Sequence, residues 1–338
     1  MLRDWSRFAS LLEGSHKILI SSHAKADGDA IGSELALAAA LRTLGFSVTV
    51  LNPDLPAGIF AFMGKDFGLI RSFDGDPQAM TLQEAMEFDV LIVVDTSARA
   101  QLRKVADLID AGLKTIVIDH HAVAEPLTPY EFSDPLQPAA GCLVLDLIES
   151  LGVPLSHCEE NSACSIADFL FFAIATDTGW FRFPSVLPET MTQAATLMRA
   201  GASSARLYRC AYENYAPSRL KLLGVLAANS VLECGGRLAW STIRSADFER
   251  LGATMADTTD LVNAMMMTAG VEVVLLFTET APRSVRLNFR SRGDFNVAEI
   301  ARLYGGGGHK NAAGGTFSGE FPTAVETVTA EVRQRLQG

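Results

Sequence analysis

Three apolar runs in this chain each lead, within three residues, to side chains that can hold a cation. After KILI the chain reads SSHAKADGDAIGS and presents His23, Asp27 and Asp29; after DVLIVV comes Asp95; after TIVI come Asp119, His120 and His121. Short apolar runs that lack polar alternation and are separated by helix-like segments mark strands buried on both faces, the pattern of a parallel α/β sheet. In an open parallel sheet the carboxyl ends of the strands face one crevice, so groups spread from position 23 to position 121 converge on one spot. The recurrence therefore predicts an α/β fold with a polar centre at the strand exits.

Composition sets the outer limits. A chain of 338 residues with 49% hydrophobic content can bury a sizeable core, and its length fits about two domains at ~150 residues each. The N-terminal MLRDWSRFASLLEG has no apolar core behind a basic start, and no run approaches the ~20 apolar residues of a membrane helix, so cytoplasmic residence is expected. Five cysteines, at 142, 158, 164, 210 and 234, lack paired close spacing and read as buried reduced thiols. The net charge of −11 argues against sequence-independent binding to long duplexes, while small anionic substrates remain compatible with locally concentrated positive charge.

Along the first half, KILISS, SVTVLN, DVLIVVD and TIVIDHH read as strands, with helices over AIGSELALAAALRTLG and near ARAQLRKVADLIDAG. LVLDLIESLG has amphipathic helical spacing, and CSIADFLFFAIAT reads as a buried helix stopping near Asp177. FPSVLPET begins a mainly helical stretch to about residue 225, with Gly201 and Pro217 as breakers. SVLECGGRLAWSTI then reads as a hairpin around Gly-Gly, VEVVLLFTE and SVRLNFRS as strands, and NVAEIARLYG as a helix capped by Asn296. The expected division is 1–185, a helical connector over 186–225, and a smaller α/β domain over 226–338.

Aspartate and neutral imidazole without thiolate suit manganese or magnesium better than a cysteine-bound zinc, with manganese the first choice. Two such ions ~3.5–4 Å apart need a carboxylate that reaches both, and Asp95, at a central strand end, is the candidate bridge. Asp177, in ATDTGWF, supplies another carboxylate from a tight turn. Any one of these aspartates is equally well read as a helix cap, Asp29 before AIGSELAL above all, but the set of eight at element ends exceeds what capping requires. Near the C-terminus, RSRGDFNVAEIARLYGGGGHKNAAGG brings Arg290, Arg292, His309 and Lys310 beside glycines that let backbone N–H groups approach an anion, which suits a short nucleotide. Met265 to Met267, FLFFAIA, Trp180 and Phe181 read as core.

These residues resemble the DHH phosphoesterases, named for the Asp-His-His run found here at 119–121. His23, Asp27, Asp29, Gly32 and Ser33 match the family's first motif, and Asp95 and Asp177 its second and fourth. The resemblance spans nearly the whole chain. It implies that His23 and Asp27 hold one ion and Asp29 and His120 the other, with Asp95 and Asp177 shared or nearly so. It also implies that Asp119 supports the site from behind and that His121 touches the substrate phosphate or helps protonate the leaving oxygen. The glycine-rich segment is similar to the domain that accompanies many DHH proteins, which points to Arg290, Ser291, Gly307, Gly308 and His309 as substrate contacts. Length and domain order resemble the nanoRNases, so the implied activity is manganese-dependent hydrolysis of very short RNA or DNA, or of 3′-phosphoadenosine 5′-phosphate, by hydroxide generated on two Mn2+ ions. The resemblance further implies an active site in an interdomain cleft and a homodimer. A cyclic- or linear-dinucleotide phosphodiesterase and a catalytically silent nucleotide sensor are the alternatives.

Overall fold

The computed structural model describes residues 4–76, 79–122 and 125–337. The chain divides into two compact units, Met1–Glu213 and Asn214–Gly338. The boundary falls inside the segment expected to be a connector, so helices Pro188–Arg199 and Ser204–Tyr212 belong to the first unit and Pro217–Ala228 to the second.

The first unit is built on a six-stranded sheet in the order β3-β2-β1-β4-β5-β6, every pair parallel. The strands are β1 (Lys17–Ser21), β2 (Ser47–Asp54), β3 (Arg71–Asp74), β4 (Val90–Val94), β5 (Thr115–Asp119) and β6 (Glu131–Ser133). All residues of β4 and β5 are buried, which explains their unbroken apolar reading. From β1 the chain winds outward through β2 and β3, then returns to lay β4 on the other side of β1. The order therefore reverses between β1 and β4, where such sheets open a crevice. Register fixes what stands there: Ser21 pairs with Val93, so His23 and Asp95 follow two residues beyond the same rung.

Three helices carry the rest of the first unit's polar centre: α1 (Gly28–Thr43), α2 (Ala140–Ser150) and α3 (Ile166–Asp177). α1 is buried from Gly28 to Leu41 and α3 from Ile166 to Ala175, because α1 and α3 pack on each other as well as on the core. Small residues allow that approach. A β-carbon at Gly32 would stand 2.5 Å from the Phe169 carbonyl oxygen, one at Gly28 2.5 Å from Thr176 Oγ1, and one at Gly141 2.8 Å from the Ala173 β-carbon. The glycine of the Gly-Ser pair is thus a packing requirement that brings the start of α1 next to the end of α3.

The second unit is a six-stranded mixed sheet, β11-β12-β10-β9-β8-β7, in which β8 and β9 are parallel and the other pairs antiparallel. Its strands are β7 (Val231–Glu233), β8 (Leu238–Ile243), β9 (Val273–Ala281), β10 (Ser284–Ser291), β11 (Gly307–His309) and β12 (Ala312–Ser318). Val297–Leu303 and Phe321–Gln337 help to build the core on one face, while Pro217–Ala228 and the 3₁₀ segment Leu261–Met267 pack on the other face over β8 and β9. Asn296 caps its helix as expected, accepting from the Ala298 N–H at 3.1 Å.

Several expectations change. Pro217 opens a helix at its first position, where its missing N–H has no intrahelical partner to lose, so it starts the element it was read as breaking. The glycine run is not irregular throughout: Gly307–His309 pairs as an edge strand with β12. Of the five cysteines, all free, Cys142 and Cys164 are buried, Cys210 and Cys234 are half-buried and Cys158 is exposed. Met265 is core, but Met267 is 81% exposed, since a 3₁₀ turn sends consecutive side chains in different directions. Among the described residues no helix is long and apolar enough to cross a membrane.

Gly32→Ala should destabilise the protein by about 2–3 kcal/mol, because the added methyl meets a backbone oxygen that cannot rotate away. Gly58→Ala, where a β-carbon meets nothing within 4 Å, is the control. Urea unfolding of both variants checks the difference, and equal midpoints would refute the packing account.

Candidate metal centre

His23, Asp95, His120 and Asp177 meet where β1, β4, β5 and α3 end. Asp95 sits between the two imidazoles: its Oδ2 lies 3.4 Å from His23 Nε2 and its Oδ1 3.3 Å from His120 Nε2. Asp27 Oδ1 is 4.0 Å from His23 Nε2, while Asp177 Oδ2 and Asp29 Oδ2 lie 3.5 and 3.9 Å from His120 Nε2. Two donor groups result, His23 with Asp27 and Asp95, and Asp29 with His120 and Asp177; a third contains Asp95, His120 and His121. Within each, the donor atoms lie within 4.8 Å of one another. One carboxylate with an oxygen toward each imidazole is the arrangement a bridge between two cations requires.

Local structure aims each group. Asp95 has φ 61, a left-handed conformation that aspartate tolerates better than most residues, and its N–H is held by the Ile118 carbonyl at 3.0 Å. Past Asp177 the residues Gly179, Trp180 and Phe181 all have φ between 56 and 61, a left-handed turn that stops α3 at the carboxylate. Trp180 packs edge-on against Tyr208 and Tyr212, with ring centres 4.9 and 5.8 Å away, in keeping with its reading as core. Both central imidazoles are oriented from behind: His23 Nδ1 lies 3.0 Å from the Ala24 carbonyl oxygen and His120 Nδ1 3.2 Å from that of Gln137. Donation from Nδ1 leaves the Nε2 lone pair of a neutral ring facing the carboxylates, the support that metal-binding histidines use.

Two aspartates cap helices while belonging to the cluster. Asp27, rather than Asp29, is the N-cap of α1, its Oδ1 accepting from the Asp29 and Ala30 N–H groups at 3.0 and 3.2 Å. Asp29 reaches across the fold to the start of α2, where its oxygens accept from the Ala140 and Gly141 N–H groups at 2.6 and 2.9 Å. Ser33 Oγ donates to the same carboxylate at 3.1 Å. These bonds fix Asp29 and leave Oδ2 on the His120 side.

The crowding of carboxylates sets the charge state. Burial, with Asp95 and Asp177 nearby, holds Asp29 well above the usual carboxylate range, and burial pushes Asp177 up to about 6. Burial is the largest single influence on His23 and His120 and disfavours their charge, but the hydrogen bond to Asp95 together with the attraction of the surrounding carboxylates outweighs it and raises them to about 9 and about 10. Desolvation also opposes ionisation of Asp95, and its bonds to His120 and His23 more than offset this, so it is lowered. Without cations, protons on the imidazoles balance a knot of negative charge. A donor set of carboxylates and inward-facing imidazoles that collects protons in this way fits divalent cations.

Asp119 and His121 form a second arrangement. His121 Nδ1 lies 2.9 Å from Asp119 Oδ1, and Asp119 Oδ2 accepts from Ser97 Oγ at 2.7 Å. The Asp119 bond raises His121, whose side chain is 48% exposed, above the ordinary imidazole value. Sequence reasoning missed Ser97, although it stands two residues after Asp95. It also missed Asn52 and Glu34. Asn52 Oδ1 accepts from the Ser22 N–H at 3.2 Å, and its Nδ2 donates to the buried Glu34 carboxyl at 3.0 Å, which ties the end of β1 to α1 one residue before His23. A buried-strand run, SVTVLN, that ends in an amide was the available signal.

In the second unit, Arg290 donates to the Phe289 carbonyl at 3.0 Å and to Asp260 at 3.4 Å. Ser291 is buried, its Oγ donating to the Phe295 carbonyl at 2.7 Å and accepting from Asn311 at 2.9 Å. Arg292 is bound to the Met266 carbonyl, and Lys310 to Asp294 at 2.7 Å. A β-carbon at Gly306 would stand 1.9 Å from the Gly314 carbonyl oxygen and one at Gly308 2.4 Å from that of Ala312, so these glycines let β11 close onto β12. The His309 side chain lies outside the described residues.

With this geometry in hand, comparison with known proteins gives the class. The profile of the DHH family, N-terminal domain, matches residues 17–174, and that of the DHHA1 domain matches residues 236–338. The chain belongs to the DHH family of phosphoesterases. A Thermus thermophilus protein named "Bifunctional oligoribonuclease and PAP phosphatase NrnA" is 31% identical over 94% of this chain and 90% of its own length. The Bacillus subtilis protein of the same name is 26% identical over 89% of each chain. Among solved structures, an exopolyphosphatase-related protein from Bacteroides fragilis superposes with a TM-score of 0.84 at 26% identity, covering 99% of this chain and 97% of that one.

Burial pushes Glu34 up to about 7, from 4.5 when free. The fold therefore favours the protonated acid: the stability this provides is complete below pH 4.5 and is lost as pH rises through 7. In metal-free protein, Glu34→Gln should remove about 3 kcal/mol from the loss of stability between pH 5 and pH 8, since one pKa unit corresponds to ~1.4 kcal/mol. Denaturant unfolding of both proteins at the two pH values measures this, and parallel pH profiles would contradict it.

Proposed function

We propose that this protein is a two-metal phosphoesterase that hydrolyses short oligoribonucleotides and the phosphate ester of 3′-phosphoadenosine 5′-phosphate, with manganese as the working ion. The observation that carries the reading is the Asp95 carboxylate, with one oxygen toward His23 and the other toward His120. Similarity over nearly full length to proteins named as oligoribonuclease and PAP phosphatase supports the substrate class.

In this reading His23 and Asp27 would hold one cation and Asp29 and His120 the other, with Asp95 and Asp177 shared or nearly so. Two bound divalent cations supply Lewis-acid polarisation of the phosphoryl oxygens and acidify a water molecule. The protein's own part is positional. Asp95, with one oxygen toward each imidazole, would serve both cations, and the Nδ1 bonds of His23 and His120 hold each ring with Nε2 toward the carboxylates. Hydrolysis adds water at phosphorus and breaks the ester P–O bond, and the leaving oxygen must take up a proton. We assign that proton to His121, whose hydrogen bond to Asp119 holds the ring in place and raises its hold on a proton. Arg290, Gly307, Gly308 and His309 bind the terminal nucleotide, and Ser291, through Phe295 and Asn311, shapes the loop beside them.

Asp95→Ala should lower kcat with Mn2+ by at least about 10³-fold on a dinucleotide, because both cation sites lose a ligand. Calorimetric Mn2+ titration of the variant should also lose tight binding. Turnover within about tenfold of the parent would refute the bridging role. Arg290→Ala should act mainly on KM, raising it about tenfold with kcat changed little; a fall confined to kcat would remove Arg290 from substrate binding.

A further inference from the structure

Beyond Arg290, strand β10 carries a second basic side chain on the same face of the sheet. Val285, Leu287 and Phe289 point into the core, and Arg286, Asn288 and Arg290 alternate with them on the opposite face. Over β8 and β9 that face is covered by apolar side chains of Pro217–Ala228 and Leu261–Met267. Leu261–Met267 still reaches β10, where Arg290 bonds to Asp260, and beyond it toward Arg286, β12 and β11 the apolar cover ends. The cross-strand partners there are small or polar: Thr316 opposite Arg286, Gly314 opposite Asn288, Ala312 opposite Arg290, and Gly307 beyond Gly314. Arg286, Thr316 and Gly307 are exposed.

Arg286 has no ion pair or hydrogen bond among the described residues, although Arg290, Arg292 and Lys310 are all engaged. Its neighbour on β9 is Thr278, a fully buried residue whose hydroxyl also has no partner among the described residues. An unpaired guanidinium on a flat strip of glycine, alanine and threonine, in a chain of net charge −11, is a place for an anion to lie against backbone.

From this we infer that β10 is a phosphate ladder, and that Arg286 forms a further subsite for the sugar–phosphate backbone of a single-stranded oligonucleotide. The inference rests on the proposed function only for the identity of the first rung, Arg290. Alternate residues of an antiparallel strand are spaced about 6.8 Å apart. One strand of a stacked helix rises ~3.4 Å per nucleotide, and an unstacked strand lengthens toward about twice that, so one nucleotide spans one rung. Arg290, Asn288 and Arg286 would accompany three successive nucleotides, with Asn288 offering an amide between two cations. The ladder ends there: β10 begins at Ser284, and Arg283 in the preceding turn faces Glu320 at 3.8 Å. Such a strip favours chains of three or four nucleotides and gives nothing to longer ones.

The test compares the full-length protein with Arg286→Ala and Arg286→Lys on 5′-phosphorylated di- and tetraribonucleotides. Binding is read by fluorescence anisotropy with chelator present, and turnover with Mn2+. For Arg286→Ala the tetramer-to-dimer ratio should fall about tenfold in affinity and in kcat/KM, mainly through KM. The salt slope of tetramer binding should fall by about 0.7, the value for one phosphate contact on a single strand, and Arg286→Lys should restore most of it. Unchanged ratios and slope in Arg286→Ala would overturn the subsite. A parent protein that binds tetramer through Arg286 but cleaves nothing would leave the subsite standing and remove the phosphoesterase reading. Cleavage with length preference indifferent to Arg286 would do the reverse.

Discussion

The Asp95 carboxylate, caught between His23 and His120, is the contact on which the organisation of the first unit turns. It exists because two strands that neighbour each other in the sheet are far apart in sequence, with β2 and β3 between them. Parallel pairing in register then brings residues 23 and 95 to the same height. A slip of one residue would turn the strand-end side chains to the opposite face and separate the pair. The buried strands β4 and β5 make such a slip costly, since every residue in them would have to find a new apolar neighbour.

Around that contact the helices act as spacers of defined thickness. α1 supplies Asp27 and Asp29, and α3 supplies Asp177. Gly28, Gly32 and Gly141 remove the side-chain layer that would otherwise hold them apart. Helix capping and the candidate donor cluster also share residues here. Asp27 satisfies N–H groups at the start of α1, and Asp29 those at the start of α2, so the charges are fixed by helices whose positive ends favour them. Asp29 thus meets the N–H groups of a helix start while standing in the candidate donor cluster, so the two readings of it do not exclude each other.

This bears on what the sequence made legible. The alternation of strands and helices, the ligand candidates at strand exits and the helix ending at Asp177 follow from local pattern, because periodicity reports burial directly. What could not be read depends on partners remote in the chain. Asn52 and Glu34 are 18 residues apart and look like an ordinary strand polar residue and an ordinary helix acid, yet they join the end of β1 to α1. Asp29 finds its N–H donors 111 and 112 residues away. Gly306 and Gly308 read as freedom and prove to be close contact, because composition does not distinguish a glycine that moves from one pressed against a carbonyl. Cys158 and Met267 reach the surface because the residue types most often buried carry no information about the turn that holds them.

Electrostatics ties the centre to the stability of the first unit. Its carboxylates and imidazoles are held where mutual repulsion and lost hydration would oppose the fold, and protons on His23 and His120 relieve that opposition only in part. A divalent cation would do so more completely, because its charge can be addressed by several oxygens and nitrogens together. The burial that makes these side chains costly without a counter-charge is thus the property that suits them to cations, and a cation bound here would add to the stability of this unit. The second unit carries no such debt. Its sheet is closed by apolar packing on one face and part of the other, and the exposed Arg286 stands on the remaining part.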